Sequence, residues 1–275
     1  MLKKSLLVFG LASLIIVINA QIGIDFSQDI SYETNIFRLS HEDITKFENG
    51  NSEFSFVKSR DDIIYNPSLE INYKFNFRKF STNPSIKLSK NYYYNNSEKN
   101  SYAIYASVNN DLNFLHMNLS VGTNMNNYAR DYADHDADND GNFDNDVFQP
   151  YKYDKNMYKI YLYKRIYDII PISYLKYEEY FYNKYFTEHD GNSLSVGFGT
   201  KFVFSNSYLK LFYEYRTFVT NNHNDFDTNV KPDYFRDSSF DSNKYSIELK
   251  TKKIDFIIKN AIRPKISYSF EQKFY

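Results

Sequence analysis

The chain has 275 residues, no cysteine and a net charge of −1. That excludes disulfide frameworks, thiolate metal sites and a lipid-modified N-terminal cysteine, and no basic stripe is dense enough for a nucleic-acid partner. Mean hydropathy is −0.60, yet 19% of residues are aromatic, with 28 Tyr, 25 Phe and no Trp: too aromatic for a disordered chain and too polar for a helical membrane protein.

In chain order, residues 1–20 come first. Lys3 and Lys4 form a basic region, Ser5 to Ile18 a short apolar run, and Ile18-Asn19-Ala20 ends in a small residue. This pattern predicts a secretory signal peptide, with Gln21 opening the mature chain at a net charge of about −3. Residues 21–275 then form one domain of short alternating segments.

The first predicted strand runs from Ile22 to about Phe37, with Ile24, Phe26, Ile30 and Tyr32 on one face and Asp25, Asp29 and Glu33 on the other. The second alternates Tyr65, Leu69, Ile71, Tyr73 and Phe75 with Asn66, Ser68, Glu70, Asn72, Lys74 and Arg78. Ile86, Leu88 and Tyr92 mark the third, Ile104, Ala106 and Val108 the fourth, and Leu119 and Val121 the fifth. Tyr158, Ile160 and Leu162 mark the sixth, Leu175 and Tyr177 the seventh, Leu194, Val196 and Phe198 the eighth, and Leu209, Leu211 and Tyr213 the ninth. Tyr245, Ile247 and Leu249 lie on the tenth, Ile254, Phe256 and Ile258 on the eleventh, and Ile266, Tyr268, Phe270 and Phe274 on the twelfth.

Twelve strands is an even count, and the connections alternate between short and long. Tight turns on one side and long loops on the other are the signature of a transmembrane antiparallel up-and-down β-barrel. The long loops, near 39–61, 123–155 and 219–242, are expected to be extracellular. This patterning resembles bacterial outer-membrane β-barrel proteins, and in size and plan is similar to the small monomeric porins for acidic oligosaccharides and to nucleoside channels. The chain ends Phe274-Tyr275, resembling the terminal aromatic that barrel-assembly machinery reads, although Tyr275 falls one residue out of phase with Phe274, Phe270 and Tyr268. The resemblance implies a bacterial outer-membrane location, a monomer in contact with outer-membrane lipid, and help from periplasmic chaperones and the assembly machinery.

Asp136, Asp138, Asp140, Asn142 and Asp144, with Gly141 at the sharp turn, match the spacing of an oxygen-ligated Ca²⁺ loop. The closing glutamate is absent, since Val147 stands there, so the expected cofactor is weakly bound Ca²⁺ that orders the loop. The competing reading is an acidic, solvated surface loop.

The faces opposite the apolar ones carry the second constellation. Lys159, Arg165, Lys201, Lys210, Arg216, Lys244 and Lys250 are the expected pore-lining residues. Lys176, Lys265 and Lys273 lie on the same predicted side, beside fewer acids, with Tyr105, Tyr161, Tyr174 and Tyr208 among them. Basic groups attract anions and set pore selectivity. A competing reading is a plugged lumen whose charges pair with each other.

An enzyme is not expected. Outer-membrane phospholipases, which have similar size and strand number, use a His-x-Ser pattern, and none of His41, His116, His135, His189 or His223 is followed two residues on by Ser. The sequence reading is a narrow diffusion channel for small anionic solutes. The rival is a non-conducting surface barrel acting through its loops as an adhesin or structural protein.

Overall fold

The computed structural model describes residues 21–76, 80–134, 147–186, 189–205, 207–220, 239–251, 254–255, 261–262 and 265–274. The expected signal peptide, Arg78 and the Asp136–Asp144 calcium motif lie outside them. The long strands are β1 (Gln21–Glu33), β2 (Asp62–Asn76), β3 (Ser81–Tyr93), β4 (Ser101–Asp111), β5 (His116–Asp134), β6 (Val147–Tyr163), β7 (Ile169–Tyr182), β8 (Gly191–Phe204), β9 (Ser207–Thr220) and β10 (Phe240–Lys250). Among the described residues, the two-residue strands β11 (Ile254–Asp255) and β12 (Ala261–Ile262) pair with each other, and β13 (Lys265–Phe274) follows. One helix, α1 (His41–Glu48), sits between β1 and β2. Among the described residues, no helix is long and apolar enough to cross a membrane.

β1 to β10 and β13 form one eleven-stranded antiparallel meander, each strand hydrogen-bonded to the next. Period-two alternation holds the register, because a one-residue slip would move every apolar side chain to the wrong face. One row of direct cross-strand partners runs Ile24, Ile71, Ile86, Ala106, Val121, Tyr158, Tyr177, Leu194 from β1 to β8. The row behind it, on the other face, reads Asp25, Glu70, Lys87, Tyr105, Gly122, Met157, Glu178, Ser193.

The apolar face is the exposed one. Ile24 is 68% exposed, Ile30 71% and Ile86 55%. Contiguous exposed aliphatics on this scale mark a surface that meets lipid. Near its loop end, Tyr65 and Tyr92 stack at 6.0 Å, and the Lys90 ammonium lies 3.9 Å from the Tyr92 centroid and 4.6 Å from that of Tyr102. An amphipathic cation on tyrosine rings suits the headgroup level.

The hydrophobic core lies in the connection between β1 and β2. Phe37, Leu39, Phe54 and Val57 are buried together with Tyr128 of β5, and Ile36, Ile44, Phe47 and Phe56 pack around them. The strand ends joined by the long connections (34–61, 94–100, 135–146, 183–190, 221–239) lie at one end of the sheet; those joined by the short ones (77–80, 112–115, 164–168, 205–206) lie at the other, together with the longer link 251–264 between β10 and β13.

The structure differs from the sequence reading in three places. β1 ends at Glu33 rather than near Phe37, because Asn35 and Arg38 adopt φ values of 50° and 53° and the Arg38 amide bonds back to the Asn35 carbonyl at 2.8 Å. The stretch expected as a loop over 123–155 is strand at both flanks, with register shifts at Asn124/Asn127 and Tyr128/Asp131. Such irregularities break the alternation by which a strand is read. Of the expected eleventh strand, Ile254 pairs with Ile262 of β12, while Phe256 and Ile258 lie outside the described residues. Instead β13 pairs directly with β10, matching Ile266 to Leu249, Tyr268 to Ile247 and Phe270 to Tyr245. The sheet edges, β1 and β13, therefore run in the same direction.

Candidate functional site

The polar face of β6 to β10 and β13 is basic. Lys155, Lys159, Lys176, Lys201, Lys210, Arg216, Lys244, Lys250, Lys265 and Lys273 share that face with Glu178, Glu214, Glu248 and Glu271. Of the residues expected to line a pore, Lys159, Lys201, Lys210, Arg216, Lys244 and Lys250 lie here. Arg165 does not: it sits in the turn between β6 and β7, and its Nε donates to the Tyr167 carbonyl at 3.0 Å. A basic residue within a turn has no strand phase, so alternation could not place it.

Three lysine pairs stand directly opposite one another across neighbouring strands: Lys159 with Lys176, Lys201 with Lys210, and Lys250 with Lys265. The Lys250–Lys265 pairing joins β10 to β13. Directly opposed like charges destabilise a sheet, so this arrangement opposes stability. It is only partly relieved. Glu178, 4% exposed, accepts from Lys155 at 3.1 Å and Lys176 at 2.9 Å, and Glu248 pairs with Lys265 at 3.1 Å. Lys159, Lys201, Lys210 and Lys250 form no close ion pair with a carboxylate among the described residues, although Lys210 stands directly opposite Glu248 on β10.

Aromatic rings carry several of these cations. The Lys201 ammonium is 4.0 Å from the Tyr208 centroid, and Lys210 is 4.9 Å from that of Phe212. Tyr174 and Phe212 stack at 5.4 Å over Gly197, where a Cβ would lie 2.5 Å from Tyr174 Cε1 and 2.6 Å from Phe212 Cζ. Glycine is what lets the rings lie flat on the wall. The Tyr174 hydroxyl donates to Glu214. Nearer the loop end, Arg216 donates to Ser193 Oγ at 2.8 Å and to the Tyr180 hydroxyl at 3.0 Å. Tyr153, Tyr180, Phe218 and Phe240 continue as neighbouring rings 5.5–5.9 Å apart.

The opposite wall has another character. β1 and β2 present Asp25, Asp29, Glu33, Asp62 and Glu70 with Lys74. β3 to β5 present Ser, Asn and Tyr, including Ser85–Ser107 at 3.0 Å and Asn118–Asn109 at 2.7 Å.

The β1–β2 connection crosses this polar face. Ser40 caps α1, its hydroxyl accepting the Asp43 amide at 3.1 Å while the Asp43 carboxylate accepts the Ser40 amide at 3.2 Å, a reciprocal capping box. Asp43 then reaches Arg130 of β5 at 3.3 Å. Burial opposes its charge, but the Ser40 and Arg130 hydrogen bonds outweigh that and hold its carboxyl below the usual range. Asp61 accepts from the Asn35 amide at 3.0 Å, Arg60 at 3.1 Å and the Tyr32 hydroxyl at 3.1 Å, which lowers its pKa too. Lys99, between β3 and β4, donates to the Tyr128 and Ala129 carbonyls at 2.9 and 3.0 Å. Burial, with the nearby Arg38 charge, brings its pKa down to about 8. Sequence reasoning missed Arg38, Lys99 and Arg130, because what unites them is the fold of the connection.

Together, an antiparallel meander with an apolar outer face, a charged inner face and unequal connection lengths defines the transmembrane β-barrel class of outer-membrane type. No family model matches the chain, and no curated protein matches its sequence. Among solved structures it is similar to a loop-deletion form of OmpT, an outer membrane protein of Vibrio cholerae, at 8% identity and a TM-score of 0.46, covering 93% of this chain and 94% of that one. OmpT expressed in the outer membrane of the same organism gives 11% identity and a TM-score of 0.47 over 91% of this chain and 67% of that one. The β domain of the Bordetella autotransporter BrkA gives 8% and 0.34 over 92% and 91%.

Proposed function

We propose that the protein is an outer-membrane channel for passive diffusion of small anionic solutes. The observation that carries this reading is the set of directly opposed lysines on the inward face. A visiting anion would relieve that repulsion, and basic groups on a lumen wall favour anions. The flat rings at Tyr174, Phe212 and Tyr208 add surfaces on which a sugar ring can lie. In this reading the long connections face the outside of the cell, the protein works as a monomer in outer-membrane lipid, and no catalytic step is involved.

Single-channel conductance of the refolded protein in a planar bilayer tests the proposal. Discrete steps with an anion-selective reversal potential are expected. Cation selectivity would overturn the assignment of the basic wall, and a folded protein without conductance would overturn the channel.

A second reading, a surface barrel acting through its loops, draws on the independent core of the β1–β2 connection. We also retain the Ca²⁺ proposal for Asp136, Asp138, Asp140, Asn142 and Asp144. Chelation is expected to increase protease cutting within 135–146 alone, and cutting that Ca²⁺ does not change would remove the proposal.

A further inference from the structure

The apolar outer face is not smooth. A recess of about 830 Å³ opens over β2 to β6. Its floor lies at Ala106, the smallest side chain in the row of cross-strand partners Ile71, Ile86, Ala106, Val121, Tyr158. Tyr73 and Phe75, stacked at 6.0 Å, bound it on the β2 side, and Tyr158 on the β6 side. A methyl set between larger neighbours forfeits dispersion contacts unless something flexible and apolar fills the space.

The same strands carry a cation beside this recess. Lys90 of β3 stands opposite Tyr102 of β4, and on the outer face the pair Leu88–Ile104 separates them from Ile86–Ala106. Period two therefore points Lys90 outward, in phase with Ile86 and Leu88. On β1 to β4, β7 to β10 and β13 no other lysine or arginine has the outward phase. The outward residues beside it, Tyr92, Tyr102, Met125 and Pro67, include no carboxylate.

The height of Lys90 matters. It lies eight residues along β3 from Thr82, which at barrel tilt is a rise of about 20 Å in an apolar band about 25 Å tall. The charge thus sits at the headgroup level of the leaflet facing the long connections. Two rings hold it there, with the ammonium 3.9 Å from the Tyr92 centroid and 4.6 Å from that of Tyr102. Ring faces leave the ammonium's hydrogens for a stronger acceptor, and a phosphate oxygen offers a charge-assisted bond. The recess begins four residues below, about 13 Å along the strand, within the hydrocarbon region.

We propose that this strip of the outer wall is a binding site for one phosphate-bearing lipid, its phosphate held at Lys90 between Tyr92 and Tyr102 and an acyl chain lying in the recess over Ala106. The site rests on the membrane placement of the sheet and is independent of conduction. A bare anion uses only its upper part, and an uncharged lipid only its lower part.

The test is native mass spectrometry of the refolded full-length protein in detergent. The probes are dioleoyl phosphatidate, dioleoylglycerol, which differs from it only in lacking the phosphate, and inorganic phosphate. Lys90→Gln removes the charge and Lys90→Arg keeps it. Ala106→Leu fills the recess with an apolar side chain. Lys87→Gln removes a charge from the same strand on the opposite face.

One saturable phosphatidate is expected, bound at least about tenfold more tightly than dioleoylglycerol, with inorganic phosphate weaker than both. Lys90→Gln should bring phosphatidate down to the dioleoylglycerol level, while Lys90→Arg and Lys87→Gln leave it unchanged. Ala106→Leu should weaken both lipids alike. Equal binding of the two lipids, or equal losses in Lys90→Gln and Lys87→Gln, would overturn the phosphate site. Unchanged lipid binding in Ala106→Leu would overturn the recess as the chain's seat. A non-conducting protein with Lys90-dependent phosphatidate binding would sink the channel and leave this site standing.

Discussion

The two halves of the inner wall solve the same packing problem in opposite ways. From β1 to β5 the inward residues are acids, short side chains and amides, and several pair with one another, as Ser27–Ser68 at 2.7 Å, Asn66–Asn91 at 2.7 Å and Ser85–Ser107 at 3.0 Å. From β6 to β13 they are long cations and rings, with lysines facing lysines. The first half adds acids to its hydrogen-bonded pairs; the second carries an excess of positive charge. The acids of β1 and β2 and the lysines of β6 to β13 together set up a field directed across the sheet.

The comparison can be broken most decisively by reversing the excess. Lys201→Glu/Lys210→Glu should turn anion preference into cation preference, read as a change in the sign of the reversal potential. Matching changes on the quiet wall, Ser85→Ala/Ser107→Ala, should leave that sign alone. If both pairs, or neither, alter selectivity, the division between the halves fails.

The next effect concerns the core that bridges them. Truncating Phe37 to Ala removes a buried ring that meets Tyr128 at a centroid distance of 6.2 Å and should cost the docked connection about 3–5 kcal/mol. Amide exchange should quicken across 34–61 while the sheet stays protected. Acid should act on the same connection more gently. Asp43 and Asp61 both have lowered folded pKa values, so their contribution is complete above the ordinary aspartate value and is lost as pH falls through the folded ones. Exchange or proteolysis of 34–61 should therefore be flat near neutrality and rise only under strong acid. The smallest effect belongs to the Lys46–Glu42 pair at 3.1 Å, whose side chains are 42% and 79% exposed; Glu42→Gln should leave the connection's exchange unchanged.

What could be read from the sequence follows from where side-chain order is local. The faces of β2, β3, β8, β9 and β10 are written every second residue, so Lys201, Lys210, Lys244 and Lys250 could be placed without a structure. The far half of β5 could not, because two register shifts interrupt its phase. Nor could the core of the β1–β2 connection, whose Phe37, Leu39, Phe54 and Val57 follow no period and whose partner Tyr128 lies far along the chain. Arg38 gains its meaning only from the turn made by Asn35 and from that distant packing. The strand count fell between these cases. Ile254 looked like a strand start, but the phase of Ile266, Tyr268 and Phe270 fits β10 just as well, and local pattern cannot choose between two adequate partners.

The two edges of the sheet have a consequence for its seam. Among the described strands, Gln21 lies at the end of the short turns, and Phe274, opposite Asp241, lies at the end of the long connections. A direct seam between β1 and β13 would then be parallel, with evenly spaced, slanted hydrogen bonds, in a wall whose other joints are all antiparallel.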